Sequence, residues 1–246
     1  MGICWICGSP ATSAEHKIKK SDLTRVHGRG KEFVQANLNY LRGDDSVVIL
    51  QGPESRWVKW PDVLCAHCNN SRTQPFDLAY DKFIEYVEDN QDEILARRQI
   101  NFQSVYGSNW EVQQLNLFKY FAKNFGCKIA AADLPVPQDL VTLIGAEHFQ
   151  TALWVCIAVN EDEVNKPKPD QTLLRTGNLI GNEGFLASAY FYRWLVFSFW
   201  YGKTPTGPVG GRWCADLQFI SLGSYCSVDA LVNYGTEESP IIWPGF

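Results

Sequence analysis

Leu64-Cys65-Ala66-His67-Cys68-Asn69-Asn70-Ser71-Arg72 decides the fold when read with its counterpart near the start, Cys4-Trp5-Ile6-Cys7. Each stretch supplies a Cys-x-x-Cys pair. Two such pairs offer the four thiolates that a closed, tetrahedral structural zinc site requires. The 57 residues between Cys7 and Cys65 are too many for a simple zinc ribbon, so further elements are inserted between the two knuckles. In a module of this size the binding free energy of the metal is folding free energy. The other four cysteines, Cys127, Cys156, Cys214 and Cys226, lack ligand spacing and read as buried thiols. His67, between two of the ligating cysteines, is placed on the exposed side of its knuckle.

Working outward, the gap holds Ala14-Glu15-His16-Lys17-Ile18, and the second pair runs directly into Asn69, Asn70 and Arg72. A neutral imidazole takes a proton from water at a pKa near working pH, which suits His16 to a general base. Glu15 and Asn69 carry oxygen donors suited to one hard divalent cation, magnesium or manganese, with Asn70 competing for the ligand role. Lys17, Lys19, Lys20, Arg25, Arg29 and Lys31 follow within the same gap. As a group they suit phosphate contact, which gives affinity without sequence information and weakens steeply with salt.

Over residues 3–81 the chain resembles the HNH (ββα-metal) endonuclease family. The resemblance is carried by Cys4-x-x-Cys7, Glu15-His16, Leu64-Cys65-x-x-Cys68-Asn69 and Arg72. It implies a β-hairpin whose first strand ends at Glu15-His16, and a helix opened by the second knuckle that completes the site. It also implies phosphodiester hydrolysis with His16 as base, Glu15 and Asn69 on a catalytic Mg2+ or Mn2+, and Arg72 either clamping the phosphate or fixing the helix to Asp77 or Asp81. The substrate would be a nucleic acid, DNA in preference to RNA. Chains that join such a module to a variable domain are familiar in bacterial restriction and phage defence. Two departures stand out. Glu15 replaces the usual Asp, and Trp60 stands five residues before the second knuckle, where many members have Asn. The rival reading is a non-catalytic zinc-knuckle module that holds nucleic acid or a partner protein.

The rest of the chain bounds these readings. With 246 residues and 46 % hydrophobic content it can build one substantial core and a small satellite module. The net charge of -5 excludes a uniformly basic nucleic-acid-coating protein. From Met1 to Gln74 there are 10 Lys/Arg against 7 Asp/Glu, and the excess of acid lies entirely behind that point. The start carries no apolar leader, and the longest apolar run, Phe185 to Tyr201, is broken by Arg193 and falls short of a roughly 20-residue span. A cytoplasmic protein with no membrane contact is expected.

Periodicity predicts a helix from Pro75 that runs towards Arg98, a second over 110–127 and a short one over 138–144. It also predicts a buried strand over 151–159 and a last one over 213–222, with loops at 164–171 and 207–211. Phe185–Tyr201 is apolar on both period-2 faces and reads equally as buried strand or buried helix. The fold class is therefore α+β: a zinc-stapled HNH module over 1–90 and a larger α+β domain over 91–246 that senses, regulates or binds a partner. His148, in apolar context, is expected in the core. Tyr190, Tyr192, Trp194, Trp200, Tyr201 and Trp213 are expected to form an aromatic core. Gly202-Lys203-Thr204 is no phosphate loop, because Phe197 stands where its first glycine is needed.

Overall fold

The computed structural model describes residues 2–42, 46–166, 173–182, 184–202, 212–213 and 217–226. In chain order the front carries β1 (Ser13–His16), α1 (Lys20–His27), α2 (Lys31–Gln35), β2 (Asn39–Leu41), β3 (Val47–Ile49) and β4 (Lys59–Leu64). A π-helical turn, Cys68–Arg72, leads into α3 (Gln74–Asp89), α4 (Gln91–Arg97), β5 (Gln99–Asn101), α5 (Phe102–Tyr106), α6 (Trp110–Ala131) and α7 (Gln138–Gly145). The remainder is β6 (Leu153–Asn160), α8 (Glu161–Val164), β7 (Leu173–Arg175), β8 (Ile180–Asn182), β9 (Phe185–Tyr192), β10 (Leu195–Tyr201), β11 (Arg212–Trp213), β12 (Phe219–Ser221) and β13 (Gly223–Tyr225). The protein is mixed α+β.

β1 and β4 form an antiparallel pair with irregular register, Ser13 opposite Leu64 and His16 opposite Lys59. The long insertion between them returns to the body through β2, which pairs with β3 and, in parallel, with β7. The main sheet runs β11-β6-β10-β9-β8, with β13 added in parallel to β6.

The expected first helix is interrupted at Asn90, whose amide donates to the Tyr86 carbonyl at 2.8 Å and ends α3 before α4 begins. Pro75 sits in the first turn, where its missing N–H costs nothing. The segment 185–201 is two strands of one hairpin. They turn at Arg193, whose φ of 47° and ion pair with Glu88 hold the bend. It is apolar on both faces because both faces are covered, so alternation was absent from the sequence. α6 packs on α3, β4, α7 and β6. Its Phe121 and Phe125 meet Phe197 and Phe199 of β10 at ring separations of 4.8 and 5.6 Å.

The boundary expected at residue 90 lies between α3 and α4, and buried side chains from both sides of it belong to one continuous cluster, Cys4 to Leu222. Tyr190, Tyr192, Trp194 and Trp213 are in that core. Cys127 and Cys156 are buried, while Cys226 is only half-buried. His148 is a correction: it is exposed beyond α7, in a turn that ends the apolar run before β6. Cys214 and the loop at 207–211 lie outside the described residues. Among the described residues no helix is long and apolar enough to cross a membrane.

Candidate metal centre and adjoining cleft

The four cysteines converge. The sulfur atoms of Cys4, Cys7, Cys65 and Cys68 all lie within 4.8 Å of one another, and Cys7 and Cys65 are 3.6 Å apart. A tetrahedron with Zn–S bonds of about 2.3 Å has S–S edges of roughly 3.8 Å, so the quartet fits a structural metal such as zinc. The backbone builds this cup. Cys4 N–H donates to the Ser9 carbonyl at 2.7 Å, Gly8 turns the chain at φ 75°, and Cys68 N–H points at the Cys65 sulfur at 3.4 Å. Burial pushes the Cys4 and Cys68 thiols up, whereas the exposed Cys7 thiol is lowered to about 6 by the Ser9 hydroxyl and backbone. A bound cation would hold all four as thiolates.

The first knuckle is locked onto α6. Trp5 donates its backbone N–H to Val63 at 3.2 Å and its indole N–H to the Cys127 sulfur at 3.4 Å. One turn before Cys127 along the same helix stands Lys123, so the knuckle fixes the helix that reaches beneath Glu15.

A cleft of about 710 Å³ opens beside this centre, lined among others by Glu15, His16, Asn69, Asn70, Lys20 and Arg29. His16 ends β1 and is largely buried. Burial lowers its pKa below the usual 6.5, against the opposing pull of the Glu15 and Glu54 carboxylates. Its Nε2 has no hydrogen-bond partner and lies 3.7 Å from Glu54 Oε2. Asn69, in the π-helical turn, donates to Ser13 Oγ at 2.9 Å and to the Ala14 carbonyl at 3.3 Å. Those bonds leave its buried Oδ1 unpartnered. A neutral base and an amide oxygen therefore stand unsatisfied in the same cleft.

Glu15 is satisfied already. Oε1 accepts the backbone N–H of His16 at 2.9 Å, and Oε2 pairs with Lys123 at 2.9 Å. Arg72 is exposed outside the cleft lining, with its guanidinium beside Gly145 at the end of α7. Asp77 and Asp81, offered as its alternative to a phosphate, are engaged by Lys123 and Lys19.

The basic residues divide by their neighbours. Lys20 and Arg29 line the cleft, with Lys20 held 2.6 Å from Glu54, while Lys31 is exposed outside the lining. Lys17 lies over the rings of Trp60 and Tyr40 at 5.1 and 5.5 Å. Lys19 lines the cleft but is tied 3.0 Å from Asp81. Arg25 pairs with the buried Asp22 at 3.2 Å.

Two residues of the site escaped the sequence reading. Glu54 pairs with Lys20 and Lys59 beside His16, and the two lysines hold its carboxyl down to about 2. It ties the loop before β4 to the end of β1, and no spacing rule marked it. Lys123 arrives from a helix 108 residues away. No sequence signal set it apart, since the same helix also carries Lys119 and Lys128.

Comparison with protein-family models, with curated proteins and with solved structures finds no match to this chain.

Proposed function

We propose that the chain is a metal-dependent endonuclease of the HNH type, acting on DNA in preference to RNA. The observation that carries this reading is the pair of unsatisfied groups in the cleft, the neutral Nε2 of His16 and the Oδ1 of Asn69. They lie where a strand pair meets the helical turn that follows a four-cysteine knuckle. In this reading His16 removes a proton from water as the water oxygen bonds to phosphorus. The bridging P–O bond then breaks and its oxygen leaves with a proton from solvent. Asn69, with Glu15 beside it, would hold Mg2+ or Mn2+, which neutralises charge developing on the phosphoryl oxygens. Asn70 lines the same cleft as the competing ligand. Lys20 and Arg29 flank the path of the backbone, and Lys31 adds charge at its edge. A part in bacterial restriction or phage defence follows from resemblance alone.

One observation favours the rival, a zinc module that binds without cutting. Lys123 already neutralises Glu15, so the divalent cation gains less from that carboxylate.

The test is cleavage of supercoiled plasmid by the zinc-loaded protein and by His16→Ala, each with Mg2+, Mn2+ or chelator. Nicking that needs the cation and vanishes in His16→Ala is the expected result. Cutting that persists with chelator removes the divalent cation from the mechanism, and unchanged cutting by His16→Ala removes His16. Plasmid binding without cutting by either protein moves the assignment to the binding module.

A further inference from the structure

Lys123 is buried behind Glu15 and Asp77, two residues that line the cleft, with its own side chain 1 % exposed. Its Nζ lies 2.9 Å from Glu15 Oε2, 3.1 Å from each carboxylate oxygen of Asp77 and 3.4 Å from Thr73 Oγ1. Three residues from two elements and their junction thus present four oxygens to one positive centre. Carboxylates and a hydroxyl converging on a buried point are the donor chemistry of a hard divalent cation. The separations near 3 Å are those of an ammonium, longer than the roughly 2.0–2.6 Å of such a cation.

The charges also balance locally. Lys19 neutralises the outer side of the group, 3.0 Å from Asp81 and 3.7 Å from Asp77. Lys123 faces Glu15 and Asp77 from the inner side, and its own burial is outweighed by these two carboxylates, which keep it charged. Without Lys123 two half-buried carboxylates would be left facing one another with their shared cation gone, which is unfavourable unless another cation enters. The same ammonium fixes the catalytic strand, because the other oxygen of Glu15 accepts the N–H of His16.

We propose that Lys123 is a positioning residue that takes the place of a cation. Its tethered ammonium fills the oxygen cage between Glu15, Asp77 and Thr73, and it confines any divalent ion in the cleft to the Asn69 side. The catalytic consequence rests on the nuclease reading, whereas the exclusion of a cation from the cage does not.

The experiment is a Mn2+ titration followed by electron paramagnetic resonance, on zinc-loaded wild type, Lys123→Met and Lys123→Met/Asp77→Asn. Lys123→Met is expected to bind one more Mn2+ than wild type, and the double variant to lose that extra ion. Equal Mn2+ counts in wild type and a folded Lys123→Met overturn the proposal, as does an extra ion that survives Asp77→Asn. Wild type binding no Mn2+ at all sinks the catalytic-cation reading, while an ion gained by Lys123→Met still upholds the role of the lysine. Should Lys123→Met be unfolded without cation, Mn2+ is expected to refold it by circular dichroism. Failure to refold then counts against the proposal.

Discussion

Gly126 offers a sharp test of how the knuckle is seated on α6. A Cβ at this position would stand 2.6 Å from Cζ2, 2.8 Å from Cη2 and 3.0 Å from Cε2 of Trp5. Ordinary carbon contacts are about 3.5–4.0 Å. The indole cannot simply swing aside, because its N–H is bonded to Cys127 and its neighbours Cys4 and Cys7 belong to the cysteine quartet. Gly126→Ala therefore has two opposed effects. Alanine inside a helix gains about 1 kcal/mol over glycine. The steric overlap costs about 1–3 kcal/mol. In the wild-type background the net should be neutral to a loss of about 2 kcal/mol. In a Trp5→Ala background the overlap is gone, and the same substitution should stabilise by about 1 kcal/mol. Urea denaturation of the four proteins of this cycle should give a coupling of about 1–3 kcal/mol. Transfer of zinc to a chromophoric chelator should be faster in Gly126→Ala than in wild type. Equal stabilisation in both backgrounds would refute the close packing of Trp5 on α6 and the path from knuckle to Lys123 built on it.

Cys68→Ser should cost on the order of the whole stability of a domain, about 5–15 kcal/mol, since a structural metal held by this quartet would contribute folding energy; a variant with native circular dichroism and melting temperature would show that the quartet is not a metal-stapled element. Asp22 is buried, and burial raises its carboxyl from 3.8 to about 6 against the donated hydroxyls of Tyr80 and Tyr190. The folded state then holds a proton that the unfolded state has released between pH 4 and 6, so this group's contribution to stability falls as pH rises through that window. Asp22→Asn should flatten the slope in denaturation measured at pH 4.5 and 7, and an unchanged slope would assign it to other groups. Arg29→Ala should reduce the slope of log affinity against log salt for DNA by about 0.9, the value for one lost phosphate contact. Lys17→Met, which alters a side chain lodged over Trp60 and Tyr40, should leave that slope unchanged when both variants are titrated with fluorescently labelled DNA at several salt concentrations.

Local signals in the chain were enough for much of this. Ligand spacing at Cys4, Cys7, Cys65 and Cys68 marked the quartet before its sulfurs were seen together. Periodicity marked the helices at 75 and 110, because an amphipathic face repeats within a few residues, and β-branched and aromatic content marked the strand at 151. Ser13–His16 pairs with the strand before Cys65 across a long insertion, and His16 and Asn69 line one cleft. Where both faces of a segment are covered the pattern disappears, so 185–201 remained ambiguous between strand and helix until its partners were known.

What tertiary structure alone decided is how charges are used. Six basic residues in one segment looked alike as letters. Lys17 and Arg25 are spent on aromatic rings and a buried carboxylate, while Lys20 and Arg29 face the cleft. Glu15 carried the same uncertainty: as a letter beside His16 it read as a metal ligand, and only the packing of α6 shows its oxygen held by Lys123. The physical reason is range. Metal-ligand spacing and helix periodicity are written within a few residues, whereas an ion pair between positions 108 apart is set by how helices and strands stack. The chain by itself could determine the zinc-ready quartet and the main elements; which carboxylates are taken up by lysines was decided by the fold.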